Sequence, residues 1–268
     1  MTPFQKLIKY LAIGFGFFLI ASMIAAVAGI AGLFTGIQLW KDRPEAAPIA
    51  SETFPRDILA LEMEIGAADI QILKGDEFRI QTDNPHITAK QQHSTLVIQE
   101  KSHIDDLDSS TLTITIPEDM VLEDVEISTG AGRLEIEDLR CREIDLELGA
   151  GMVEIQHLLA EKTADIDGGA GQIIIHQGSF RNLDFDMGVG KAEIFAALSG
   201  HCEISAGIGN LVLTIPSSPE DYTVYAQSGI GRIEVDGMHI IGSDTLGSGE
   251  NRLNLEGGIG NIDVYFEP

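Results

Sequence analysis

Residues 144–155 read IDLELGAGMVEI, and this stretch decides the fold. Apolar residues alternate with acidic ones on both sides of a Gly-Ala-Gly corner. Strict alternation over so short a run is typical of a β-strand with one buried face. After Gly151 the alternation slips by one residue, so the chain must bend or bulge there to keep its apolar side chains inside. We therefore predict two short strands per unit, with the small residue between the glycines facing inward.

The same unit returns along the chain, and four successive intervals between Gly130 and Gly207 are 19, 20, 19 and 19 residues. A fixed period of this kind indicates a repeat architecture, in which units too small to bury their own apolar face stack on one another. The sequence therefore predicts an all-β fold, a β-solenoid of short repeated strands with rungs about 4.8 Å apart. The copy at Gly66 is the most divergent, because Ala68 replaces its second glycine. The predicted structural corners begin at Gly66, Gly130, Gly149, Gly169, Gly188, Gly207, Gly229 and Gly258.

The Gly-x-Gly corners also resemble part of the dinucleotide-binding fingerprint. That fingerprint requires a strand, then G-x-G-x-x-G, then a helix. No amphipathic helix pattern follows any of the corners, and a second strand pattern does. We therefore interpret the glycines as structural and predict no cofactor.

A long uncharged segment lies near the N-terminus, from Leu11 to Leu39, and it exceeds the roughly 20 residues needed to span a bilayer. A cleaved signal peptide is the alternative, since Lys6 and Lys9 form a basic leader and small-residue cleavage sites occur near Ala26. Its apolar region is typically only about 7–15 residues, so we favour an uncleaved anchor that forms a transmembrane α-helix. The basic leader favours the N-terminus inside, although two basic residues beyond the segment weaken that bias.

This pattern predicts a single-pass protein of the cell membrane, anchored through residues 11–40. Residues 1–10 form the cytoplasmic N-terminus. Residues 41–56 are rich in proline and predict a short linker. Residues 57–268 form the β-repeat domain, which we expect to be extracellular.

The formal net charge is −25, which excludes nucleic-acid binding through phosphate contacts. In a stacked solenoid, acidic residues on the strand before the corner would form a ladder of carboxylates. Such a ladder either keeps an elongated β protein soluble or attracts cations and cationic peptides. Its predicted members are Asp145, Glu147, Asp165, Asp167, Asp184 and Asp186, with Glu203 at the same outward position of the next unit.

The sequence contains no pattern typical of a catalytic or metal-binding site. Cys141 and Cys202 fall in units three steps apart, too far for a disulfide, and no Cys/His cluster has zinc spacing. The seven histidines are dispersed, and no serine lies in a G-x-S-x-G elbow. We expect no catalytic residue, no specific metal site and no enzymatic activity.

The repeated apolar-x-apolar-x-x-G-x-G-x-apolar-x-apolar units, together with strand–Ile-Pro turns such as residues 112–117, resemble the bacterial β-strand-repeat "putative adhesin" domains. The resemblance covers roughly residues 57–268. With the N-terminal anchor, the chain is also similar to LiaG-like membrane proteins associated with cell-envelope stress. The resemblance implies a surface-exposed β-solenoid without assigned catalysis.

These observations predict a membrane-anchored, envelope-facing binding or scaffolding module. One alternative is a regulator of the cell-envelope stress response that acts on a membrane-protein partner. A third interpretation, a carbohydrate-active enzyme on a β-helix, would need aromatic residues along a groove. The single tryptophan ends the membrane segment, and three tyrosines occur late in the chain, at Tyr222, Tyr225 and Tyr265.

Overall fold

The computed structural model describes residues 49–101 and 110–268, and these residues form β-strands with one 3₁₀ turn at Pro219–Asp221. The strands are β1 (Ala50–Phe54), β2 (Ala60–Gly75), β3 (Phe78–Thr82), β4 (Ile87–Gln92), β5 (Thr95–Glu100), β6 (Ser110–Pro117), β7 (Leu122–Arg181), β8 (Leu183–Ser199), β9 (His201–Ile215), β10 (Tyr222–Gln227), β11 (Ile230–Val235), β12 (Met238–Ile240), β13 (Ser243–Gly247) and β14 (Asn251–Phe266). Within this part of the chain, no helix is long and apolar enough to cross a membrane. The predicted transmembrane segment, residues 11–40, lies outside the described residues.

The long strands stack in parallel, one rung on the next. β8 pairs with β9 so that Gly190 lies opposite Gly209, and β14 pairs with β9 so that Gly260 lies opposite the same residue. The 60 residues of β7 supply the three rungs with corners at Gly130, Gly149 and Gly169. The all-β solenoid predicted from the period is therefore confirmed.

Each rung has one more inward-facing segment than the sequence pattern predicts. In the unit at Gly149, Leu148 is buried before the corner and Ile155 after it, as expected from the alternation. Leu158 and Ala160 are also buried, and they begin a third group three residues beyond Ile155. The prediction of two strands per repeat was therefore wrong, because each repeat contains a third inward-facing segment. A segment with only two inward side chains is too short to show a recognisable period of its own.

The order of rungs in space departs from the order in sequence at both ends of the stack. β2 lies second, because β5 and β6 together form a split rung on its outer side. At the other end β14 lies next to last, between β9 and a split rung formed by β10 and β11. Both ends of the solenoid therefore consist of two separate strands rather than one continuous rung.

Antiparallel strands cover both ends. β3 pairs with β6 and β1 with β3, while β4 pairs with β5. At the opposite end β13 pairs with β10, and β12 with β11. Residues 50–54, which the proline-rich composition assigns to the linker 41–56, are therefore strand β1. The linker prediction ended too late, because a short edge strand with four exposed residues carries no buried-face alternation.

The interior is a single apolar cluster that runs from Phe54 to Phe266. Among the described residues its only buried polar side chains are Thr82 and Ser110. Ser110 donates to the carbonyl of Ala67 at 3.0 Å, and Thr82 donates to the carbonyl of Thr111 at 2.8 Å. Since the core is filled with apolar side chains, we expect a ligand to bind on the outside of the rungs.

Candidate functional site

The glycine corners stack on one another in a ladder of backbone groups. A Cβ on Gly149 would overlap the carbonyl oxygen of Gly130, and the same holds for Gly188 over Gly169 and for Gly207 over Gly188. At the corners from Gly130 onward, the first glycine is therefore required by the closeness of the next rung, whereas a Cβ on Gly66 would meet only the side chain of Glu100. The φ of the first glycine lies outside the left-handed region, so backbone strain is not the reason.

The second glycine has two reasons to be glycine. Gly190 has a φ of +147°, which L side chains rarely adopt, and its Cβ would also overlap the carbonyl oxygen of Gly171. Ala68 replaces this glycine in the divergent first copy and is absent from the residues with positive φ. The alanine is tolerated because the corner of β2 is not left-handed.

The residue between the two glycines is not buried at any described corner, contrary to the inward direction predicted for it, and it is half-buried at Ala131, Ala150, Ala170 and Val189. Ile208 is 36% exposed, Ile259 47% and Ile230 75%. The left-handed second glycine turns the chain over at the corner, and this reversal accounts for the slip in alternation. The sequence pattern showed the slip but placed the reversal one residue too late.

The predicted carboxylate ladder is present as two outward rows on the strand before the corner. β-pairing places Asp165 opposite Asp184, and Asp167 opposite Asp186. Asp184 in turn lies opposite Glu203, whereas Asp186 lies opposite Ser205. We call these the first and second carboxylate rows. Asp145 and Glu147 occupy the equivalent positions one rung earlier, four and two residues before Gly149.

The first carboxylate row extends beyond its predicted members. Glu126 holds the equivalent position in the unit at Gly130, and pairing places Glu62 of β2 beside it. The irregular interval from Gly66 to Gly130 does not account for this omission, because both residues lie four positions before a corner glycine, the same offset that identifies Asp145. The row ends at the other side, where Asn254 lies opposite Glu203.

Burial and mutual repulsion raise the pKa of several row members. Partial desolvation is the largest cause for Asp145, and the neighbouring charge of Asp165 is the next. The pKa of Asp184 is raised in the same way, by partial burial and then by Asp165 and Asp186. The pKa values of Asp167 and Glu126 are raised too, again by desolvation first and by adjacent carboxylates second. The rows therefore hold a concentrated negative charge.

Few cations balance this charge. Lys162 pairs with Glu143, and Arg142 with Glu123, both outside the rows. Within residues 49–101 and 110–268, none of the six predicted ladder carboxylates forms an ion pair with a basic side chain. In the same ranges no group of three or more acidic, histidine or cysteine side chains has the geometry to hold a metal ion. Cation binding by the ladder stays a prediction.

A groove of about 720 Å³ runs along the stack beside the second carboxylate row. It exists because the corner glycines have no side chains to fill it. Glu147, Asp167, Asp186 and Glu256 line it on successive and neighbouring rungs, with Ser205 between the last two. We call this the corner groove. Its floor is backbone, so it offers carboxylates and peptide groups to an extended ligand.

The remaining chemically active side chains are structural. Cys141 and Cys202 are free and buried, and burial raises the pKa of the Cys141 thiol to about 12. His176 contacts Glu154 of the preceding rung at 3.0 Å, and His157 contacts the carbonyl of Glu137 at 3.3 Å. His157 and His176 therefore each contact the neighbouring rung.

Comparisons with known proteins agree with this architecture. Residues 60–248 match the model of the family described as Toastrack DUF4097. No curated protein matches the chain. Solved structures similar to it include three that are each 15% identical in sequence.

The three structures come from different bacteria. A putative adhesin from Bacteroides fragilis has a TM-score of 0.44, with 82% of this chain and 100% of that chain covered. A putative adhesin from Parabacteroides distasonis has a TM-score of 0.38, with 80% and 96% covered. A putative cell adhesion protein from Clostridium sporogenes has a TM-score of 0.34, with 81% and 98% covered.

The family match spans β2 to β13, which includes every rung of the solenoid from Gly66 to Gly229 in sequence. The resemblance to a bacterial β-strand-repeat, adhesin-like family is confirmed by this match. The chain belongs to the Toastrack DUF4097 family.

Proposed function

We propose that this chain is a binding or scaffolding module that faces the cell envelope, is anchored in the membrane through residues 11–40, and has no catalytic activity. The observation that carries the proposal is the corner groove. It is open, about 720 Å³ in volume and lined from Ser128 of β7 to Gly258 of β14. An elongated surface of repeated groups suits an extended partner better than a compact small substrate.

The charge of the groove selects the partner. Four carboxylates line it and the chain as a whole has a net charge of −25, so anionic lipids and anionic polymers are repelled. A partner with exposed basic groups is attracted, and the attraction weakens with salt. The uncharged segment from Leu11 to Leu39 supports anchoring, and the linker that follows would hold the stack near the bilayer.

Site-specific photo-crosslinking in intact cells tests the binding function. A crosslinking amino acid replaces Ser205, which lines the corner groove, or Ser179, which is exposed on the third segment of its rung as a matched control. We expect a discrete adduct from position 205 that high salt reduces, and none from position 179. Equal labelling at both positions, or none at either, would contradict the proposal.

The identity of the adduct separates the two non-catalytic functions. A membrane protein captured at position 205 favours the regulator of the envelope stress response over a scaffold. Protease added to intact cells or spheroplasts tests the orientation, since an external domain is digested without lysis. Protection until the membrane is opened would reverse the proposed topology.

A further inference from the structure

At the C-terminal end of the stack, uncharged side chains replace the carboxylates of the first carboxylate row. Beyond Glu203 its next positions are Asn254 on β14 and Tyr225 on β10, which lie side by side in the parallel pairing. Thr245 of the covering strand β13 lies on the other side of Tyr225. A row of like charges therefore ends in an amide, an aromatic ring and a hydroxyl group.

The second row changes in the same place. Glu256 lies opposite Gln227, and Gln227 lies opposite Ser243 of β13. The two rows together border a groove of about 470 Å³, separate from the centre of the corner groove, which we call the terminal groove. Its outward side chains are Tyr225, Gln227, Ser243, Thr245, Asn254 and Glu256.

Tyr225 is not required by the core. Its residue is 43% exposed, whereas Tyr222 is buried, donates its hydroxyl to the carbonyl of Leu198 at 2.7 Å and packs against Phe266. An exposed aromatic ring in the middle of a concave polar surface offers rigid contact area at a small cost in side-chain entropy. The ring of Tyr225 is therefore available to a ligand.

The amide beside this ring is held in place. Asn254 donates from Nδ2 to Oε1 of Glu203 at 3.1 Å, and the same Glu203 oxygen lies 3.1 Å from Nε2 of His201. This network orients Asn254 before any ligand arrives. Pre-oriented polar groups lose less freedom on binding and therefore give more affinity.

We propose that the terminal groove binds a neutral oligosaccharide, an inference that rests on the proposed binding function. One sugar ring lies with its C–H face on Tyr225, because an aromatic face accepts an apolar surface. Asn254, Gln227 and Thr245 then donate to and accept from the sugar hydroxyl groups around it. Glu256 accepts from further hydroxyls, and its charge repels anionic glycans.

Ligand titration of the full-length chain, followed by saturation-transfer NMR, tests this inference. The probes are cellotetraose and tri-N-acetylchitotriose, which are neutral, and trigalacturonate, which is anionic. We expect the wild type to bind at least one neutral probe with a Kd near or below the millimolar range and to bind trigalacturonate at least tenfold more weakly. Tyr225→Ala should weaken neutral binding at least tenfold, while Tyr225→Phe retains most of it because the ring remains.

Tyr265→Ala is the matched control. Tyr265 is 42% exposed, nearly the same as Tyr225, but lies on the strand after the corner, opposite Thr214. Its variant should bind as the wild type does. Failure of both neutral probes to bind, undiminished binding by Tyr225→Ala, or an equal loss in Tyr265→Ala overturns the inference.

The two proposals fail separately. If Ser205 still crosslinks a partner but no neutral probe binds, the binding module stands and the carbohydrate assignment falls. If a neutral probe binds through Tyr225 while Ser205 captures nothing, the corner groove loses its role and the terminal groove keeps its own.

Discussion

The middle of the stack and its two ends are built differently from the same unit. In the middle, from Gly130 to Gly207, each rung is one continuous stretch of chain and follows its predecessor in sequence. At either end the outermost rung is split between two strands, and an antiparallel strand covers it. Among the described corners, the second glycine is left-handed in the continuous rungs from Gly132 to Gly209 and at Gly260, whereas Ala68 of β2 and Gly231 of the C-terminal split rung do not have a positive φ.

The difference shows that the regular repeats and the side chains suited to binding a specific ligand lie in separate parts of the stack. The middle repeats because every rung must offer the next one the same carbonyl ladder. The end rungs pair on one side with an antiparallel strand instead of a second parallel rung, so their sequence need not follow the repeat, and the terminal groove with its aromatic and amide side chains lies at one of these ends. Four predictions test this contrast.

The largest effect is expected at a second glycine in the middle. Gly190→Ala forces a side chain into the left-handed region and against the carbonyl of Gly171, which together should cost about 4 kcal/mol of unfolding free energy. Gly237→Ala is the matched control at the end of the stack, where φ is +79° and nothing lies within 4 Å of the new Cβ. It should cost only about 1 kcal/mol. Equal shifts in denaturant midpoint would contradict the stacking explanation.

The next effect tests the reversed rung order at the C-terminal end. Ser205→Cys combined with Glu256→Cys joins directly opposed residues, so a disulfide should form under mild oxidation and stabilise the chain by about 3 kcal/mol. Ser205→Cys with Gln227→Cys joins rungs two steps apart and should stay reduced. Gel mobility with and without reductant measures both. A disulfide only in the second pair would show that the rungs follow one another in sequence order, which would contradict the order described above.

Removing charge from the first carboxylate row should have a smaller effect. Asp145→Asn, Asp165→Asn and Asp184→Asn together should raise unfolding free energy by about 1 kcal/mol at low salt, because like charges on opposed residues repel. Millimolar calcium or magnesium should stabilise the wild type and lose most of this effect in the triple variant. If the cation response is unchanged, the row serves solubility alone.

Acidification should give the smallest shift. The pKa values of Asp145, Asp167 and Asp184 are raised above 3.8 in the folded state, so the folded chain takes up protons before the unfolded chain does. Desolvation and mutual repulsion of the ionised carboxylates destabilise the fold above the folded pKa, and this cost is relieved as pH falls through the folded pKa toward 3.8. The melting temperature of the wild type, compared with that of the triple variant, should therefore rise modestly on going from pH 7 to about pH 4. If the melting temperature of the wild type instead falls relative to that of the triple variant as pH decreases, the predicted sign is wrong.

The sequence predicts the middle of the molecule better than its ends. Alternation around Gly149 identifies the buried residues before and after the corner, and the 19-residue period places Asp165 beside Asp184. Pairing at the ends depends on contacts between distant segments, which a period does not encode. The split rungs and strand β1 were therefore missed.

The candidate site was predictable to the same extent. The carboxylate ladder follows from outward positions on regular strands, so its six members were found. Glu62 and Glu126 were missed although each lies four residues before a corner glycine, so the repeat pattern itself could have identified them. The place of Tyr225 beside Asn254 was hidden, because 29 residues of sequence separate strands that are neighbours in space.

The inverted order of the end rungs has a consequence for how such a chain can grow. β2 and β14, the outermost long strands in sequence, both lie inside the stack, and each is closed over by another segment. A repeat added at the N- or C-terminus would meet a covered edge, so it could not lengthen the solenoid. An additional rung would therefore have to be inserted in the interior, between Gly130 and Gly207, where parallel rungs lie on both sides.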